Sequence, residues 1–266
     1  MPLRLDSIIK VDDDKSFAKI CSKFMVQSFD NIGFANDPVS LDGNYVHRRV
    51  LIKDELSDGW AGMIVYTFKV VDGQLVLFDC DVVFSGRPVE LLFDYRLPCS
   101  SEMNEYYDVI YEETGQHFQV ETVNRHMVKG EVERTTRKVY LSAFPISFEV
   151  AKNMRELNDK LNFKPVKDKD GRKVIGFAED FMGVNMSEDS ETNPYSTMCG
   201  KVKTVKEVAW KIGRKTYKFE LLTLETGVGI MPVVMNHEIF NKPKVKVGDY
   251  LFVVAYVKAD FWDENI

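Results

Sequence analysis

The side chains best spaced for chemistry in this chain are Asp79 and Asp81, in the run Phe78-Asp79-Cys80-Asp81. Residues two apart on a β-strand point to the same face, so the two carboxylates could share a divalent cation. A metal-assisted hydrolase is the enzymatic reading of that pair. The same letters also arise on an amphipathic strand whose solvent side carries both acids while Phe78, Cys80 and Val82 face the core. Glu131 and Glu133 repeat the spacing beside Arg134, Arg137 and Lys138, where cross-strand charge pairing on an exposed hairpin accounts for them.

Other chemical signatures are missing. There is no Gly-x-Ser-x-Gly, no Walker-type lysine loop and no cysteine with a local reactive-site signature. Gly227-Val228-Gly229 lacks the third glycine and the following helix that would present amides to a phosphate, and it reads as a bend in a strand. His47, His117, His126 and His237 are dispersed, and Cys21, Cys80, Cys99 and Cys199 form no Cys-x-x-Cys pair, so the thiols are expected to be reduced. Neither a resident metal nor a cofactor is expected. The acidic triplet Asp12 to Asp14 suits the capped, positive end of a helix dipole.

Charge is unevenly distributed. Between Tyr195 and Lys258 there are eleven basic and five acidic side chains, a balance of +6, which leaves about −12 on the rest of a chain whose net charge is −6. Seven of the bases fall between Lys201 and Lys218. Lys201, Lys203, Lys211, Arg214 and Lys215, with Trp210 and Tyr217 among them, have the composition that holds single-stranded nucleic acid, with cations on phosphates and rings on bases. Two other readings remain open: these bases solvate a strand pair, or they dock on the acidic N-terminal half or on another protein. A non-catalytic binding or interaction protein is the favoured class, with the Asp79 and Asp81 hydrolase as its alternative.

These side chains need elements to position them. Phe17, Ile20, Cys21 and Phe24 recur at helical spacing and predict a helix over Asp12 to Phe29, ended by Asn31-Ile32-Gly33. From Tyr45 to Phe144 the pattern turns strand-like, and Asp72-Gly73 predicts a tight hairpin because both central residues of the favoured turn take positive φ. Ser147 is expected to cap a second helix with Val150, Ala151, Met154, Leu157, Asn158 and Leu161 on its buried face. The polar stretch that follows predicts a boundary near residues 165 to 195. Four further strands are expected, over Gly200 to Val208, Thr216 to Leu224, Gly229 to Val234 and Tyr250 to Val257.

The expected fold is therefore α+β: an N-terminal antiparallel sheet with two helices over residues 1–164, a linker or extended connection over 165–194, and a small β-barrel-like unit over 195–266. Gly200-Lys201-Val202, a hairpin through Gly213, and Val245-Lys246-Val247-Gly248-Asp249-Tyr250-Leu251-Phe252-Val253 resemble OB-fold domains over about 65 residues. The same end of the chain resembles the closing segment of an uncharacterised bacterial family, which implies architecture and no site residue. With 45% hydrophobic residues the chain can bury a substantial core. Its longest apolar runs are of the length of Leu251 to Val257, too short to cross a bilayer, so no membrane contact is expected. Met1-Pro2-Leu3-Arg4 meets Asp6 before any apolar stretch that would make a secretory signal, and a cytoplasmic location is the expectation.

Overall fold

A run buried on both faces rather than alternating, Met63 to Phe68, lies at the centre of the first sheet of the structure. In this computed structural model, residues 7–10, 14–30, 43–84, 86–100, 105–163, 166–167, 170–174, 176–184 and 194–261 are described. The expectations for Asp12, Asp13, Asn31 to Gly33 and the acidic run from Ser187 to Asn193 fall outside them. Helix α1 spans Asp14–Asp30. Strands β1 (Tyr45–Lys53), β2 (Trp60–Val71) and β3 (Gln74–Val83) form a three-stranded antiparallel sheet in the order β1-β2-β3. The β2–β3 hairpin turns at Asp72 and Gly73, with φ of 50° and 74°, as the dipeptide predicts. Ile64, Val65 and Tyr66 are successive and all buried. Ile64 and Tyr66 pack in a cluster with Phe24 and Trp210, and Val65 packs on the opposite side with Val83 and Val123.

The remaining strands are β4 (Pro88–Arg96), β5 (Tyr106–Tyr111), β6 (Gln116–Val123), β7 (Thr135–Ala151), a short β8–β9 pair (Val166–Lys167 and Lys173–Val174), β10 (Met182–Val184), β11 (Ser196–Ile212), β12 (Lys215–Thr226), β13 (Gly229–Met235) and β14 (Tyr250–Asp260). Nine of them form one mixed sheet in the order β10-β11-β12-β13-β7-β14-β6-β5-β4, and two further pairings, β11 with β14 and β7 with β4, close it on itself twice. One ring runs β4-β5-β6-β14-β7 and the other β11-β12-β13-β7-β14. In each ring one pairing is parallel, β6 with β14 or β13 with β7, and the others are antiparallel. Strands β4 to β7 and β11 to β14 thus repeat one pairing scheme, and each set lends its last strand to the other. Leu91, Phe93, Phe118 and Val120 from the first set share a continuous core with Leu222, Leu224, Leu251 and Val253 from the second. The nine-stranded sheet takes strands from both sides of residues 165–194.

The second helix is shorter than its sequence pattern suggests, and this corrects the expectation that Ser147 caps it. Residues Ser147 to Ala151 continue β7, paired with β14 from Val254 to Tyr250. Phe148 and Val150 face the core at the two-residue period, which outcompetes the helical spacing because β14 offers a full ladder of partners. Helix α2 spans only Met154–Lys160, and Asn153 caps it by accepting from the Glu156 amide at 3.0 Å. Among the described residues no helix is long and apolar enough to cross a membrane.

One glycine lets the second ring close. β11 pairs with β14 over Ser196 to Lys201 and with β12 from Lys201 onward, so it bends between two partners at Gly200. A Cβ there would lie 2.1 Å from the Glu225 carbonyl oxygen and 2.9 Å from the Leu224 side chain. Gly200→Ala should therefore force strands apart and cost about 3 kcal/mol in urea unfolding. Gly213→Ala, at a turn glycine with φ of 63° and open space around it, should cost about 1 kcal/mol. Equal losses in the two variants would refute the close-approach account.

Candidate functional site

Asp79 and Asp81 lie on β3 as expected, but they do not face solvent: they are 6% and 5% exposed. This corrects the solvent-face alternative. Both surfaces of β3 are covered here, Cys80 and Val82 by the cluster around Trp210 and the two acids by β6 and β14. The partner that the sequence does not reveal is Lys258 on β14, which is fully buried and donates from Nζ to Asp81 Oδ1. Its register partner on β6 is Glu121, itself buried, and its ammonium sits 5.8 Å from the centre of the Phe144 ring. Two residues on, Asp260 accepts two hydrogen bonds from the Arg49 guanidinium of β1 at 2.7 and 2.8 Å.

Burial dominates the electrostatics of this seam. It pushes Asp81 well above the usual carboxylate range against the pull of Lys258, with Asp79 and Glu121 adding to the rise. Asp79 is raised by burial as well, and its Oδ1 has no hydrogen-bond partner among the described residues. His47 goes the other way: burial first, then the positive charge of His126 and Arg49, lowers it to about 3, so it is a neutral imidazole. Its Nδ1 pairs with Thr67 Oγ1 at 3.1 Å. The cavity between Thr67, Asp79, Asp81, Thr122 and Asn124 has about 20 Å³ of space, enough for one water. Among the described residues no group of three or more histidine, cysteine or acidic side chains is placed to hold a metal. The lysine supplies the positive charge beside both acids, and the cluster ties the first sheet to β14.

The basic segment divides into a covered part and an exposed part. Trp210 is fully buried, which corrects its reading as a surface ring. It stacks on Phe24 at 5.0 Å and on Phe84 at 6.0 Å, with Phe219 edge-on at 4.8 Å. Lys206 pairs with the buried Asp54, whose carboxylate also accepts from the Ala209 amide. Burial works to raise Asp54, but hydrogen bonds from Ser57, Ala209, Leu56 and Lys206 carry it down to about 2. Lys203 pairs with Glu225 and Lys218 with Glu207, while Lys201 lies 5.9 Å over the Tyr250 ring. At the hairpin tip Lys211, Arg214 and Lys215 are exposed, and Arg214 and Lys215 have no ion pair among the described residues. Tyr217 is half-buried. No spacing in the sequence could have announced Lys258, which lies 177 residues from Asp81.

Lys258→Met should cost about 3 kcal/mol near neutral pH, because it leaves carboxylates buried without their cation. The loss should shrink on acidification. Asp81 is raised in the folded protein and raised further without the lysine, so the folded state binds the extra proton. Its stability penalty is absent below about pH 4 and grows as pH rises toward the raised value. Urea unfolding of the variant across that range checks the slope, and a loss that is independent of pH would contradict it. No protein-family model, no curated protein and no solved structure matches the chain, so its function has to be inferred from these side chains.

Proposed function

We propose that the protein binds single-stranded nucleic acid, without catalysis, through the tip of the β11–β12 hairpin. The observation that carries this is the pair of exposed cations at one turn: Arg214 and Lys215 stand at the tip while Lys203, Lys206 and Lys218 are neutralised by carboxylates of the same chain. Cations already satisfied within the fold have little to gain from phosphate, whereas exposed ones release condensed counterions when they meet it. The interdomain-docking alternative accounts for Lys206 and Trp210, which hold β11 against the first sheet. It does not account for the tip.

Two features add support. The ring β11-β12-β13-β7-β14 can be read as an OB-like barrel in which β7 stands in as the closing strand. In such barrels the first hairpin and the face of the second and third strands contact oligonucleotides. Aromatic surface is also at hand in place of Trp210: Tyr217 follows the tip on β12, and Trp60 is 59% exposed at the end of the β1–β2 turn, which is tied to β11 by the Glu55 amide on the Ala209 carbonyl at 2.9 Å.

Full-length protein titrated with a labelled oligothymidine at low and moderate salt should bind with an affinity that falls as salt rises. Arg214→Glu combined with Lys215→Glu should weaken binding and make the salt slope shallower by about 1.4, or ~0.7 for each phosphate of a single strand that is no longer neutralised. Absence of binding by the wild type even at low salt would remove this function.

A further inference from the structure

Beyond the hairpin tip, β12 runs into a groove that the basic segment alone does not explain. The ladder between β12 and β13 ends at Glu220 opposite Met235, so Lys215 to Phe219 continue past the end of β13. Along that edge Asn236 donates to the Lys218 carbonyl at 3.0 Å, and side chains from both faces of β12 become reachable from one side. The groove holds about 390 Å³ and includes Tyr217, Phe219, His237 and Lys10 in its walls. That volume suits a ligand the size of one nucleotide.

Inside it is an oriented histidine. Glu220 is buried, and its two carboxylate oxygens accept from His237, one from Nδ1 and one from the backbone amide at 3.3 Å. A carboxylate can only accept here, so Nδ1 carries the proton and Nε2 is left for the groove. Glu220 is thus a positioning residue that fixes the ring and its tautomer. A solvated surface histidine does not need a buried acid to hold it.

We infer that this groove seats one nucleotide unit of the strand whose phosphates meet the hairpin tip, with His237 Nε2 hydrogen-bonding it and Tyr217 against its base. The site rests on the nucleic-acid reading above, and three observations carry it further. It is continuous along β12 with the cations of the tip; it joins an aromatic wall to a fixed polar group; and its size accommodates a nucleotide. Lys218 and Lys244 both pair with Glu207 at its rim, so the phosphate attraction comes from the tip and the groove contributes recognition.

His237→Asn tests this in the full-length protein, since the asparagine amide can replace Nδ1 on Glu220 while Nε2 is removed. Oligothymidine affinity should fall about tenfold, the size expected for one such hydrogen bond, with the salt slope and melting temperature unchanged. An oligonucleotide carrying 5-iodouracil should crosslink to Tyr217 or its neighbours on β12. Undiminished affinity in the variant together with crosslinks mapping elsewhere would overturn the groove site while leaving tip binding standing. No wild-type binding at all would instead sink the parent function. Thymidine monophosphate binding more tightly than the oligonucleotide would overturn the strand-borne unit.

Discussion

The pairing of β7 with β14, eleven residues long and antiparallel, is the constraint on which the rest of the nine-stranded sheet depends. Each of these strands is the last of its own four-strand set and completes the ring of the other. Their shared ladder makes the two rings one object with one core. It also explains local features that are otherwise odd: β7 persists through Ser147 to Ala151 although that segment has helical spacing, and β11 needs a glycine where it leaves β14 for β12.

The far end of the same pairing carries charge into the interior. Lys258 and Asp260 close β14, and they reach Asp81 and Arg49 of the first sheet, so the ladder that joins the rings also anchors β1 to β3. Buried ion pairs seldom add much net stability over an apolar equivalent, but they penalise wrong partners severely. Here that penalty acts on the orientation of one sheet over another. The titrations oppose one another. His47, lowered to about 3, contributes stability that is present above its unfolded value near 6.5 and is lost as pH falls through that window. Asp81, raised, contributes the opposite trend, with stability lost as pH rises.

Much of the local structure is legible in residue types. Asp72-Gly73 announces its hairpin because few other dipeptides tolerate two positive φ angles, and the strands near Met63, Val89, Thr216 and Tyr250 follow from β-branched and aromatic runs. Strand β5, Tyr106–Tyr111, carries the same aromatic and β-branched signal in Tyr106, Tyr107, Val109, Ile110 and Tyr111, but it is short and lies between polar segments, so the pattern does not delimit it. The placement of Asp79 and Asp81 is not readable, since alternation of acid with apolar residues looks the same whether the acids meet water or a lysine from β14. Trp210 misleads for a related reason: basic neighbours at Lys211 and Arg214 suggest an exposed strand, yet the alternate face of that strand is the most aromatic part of the core. Within the candidate site, the tip cations are visible in composition, whereas the Glu220 and His237 pairing depends on the turn after β13.

Strand exchange between the two rings has a consequence for how the chain acquires its structure during synthesis. Strands β4 to β7 emerge from the ribosome about a hundred residues before β14, and until β14 arrives their ring has an open gap between β6 and β7. Two unpaired strand edges with apolar neighbours are then held in the nascent chain for several seconds at ordinary elongation rates of roughly 5–20 residues per second. Closure must wait for a pairing of very high sequence separation, which makes the final step slow. The exposure of those edges during synthesis is therefore set by the topology, independent of how stable the finished protein is.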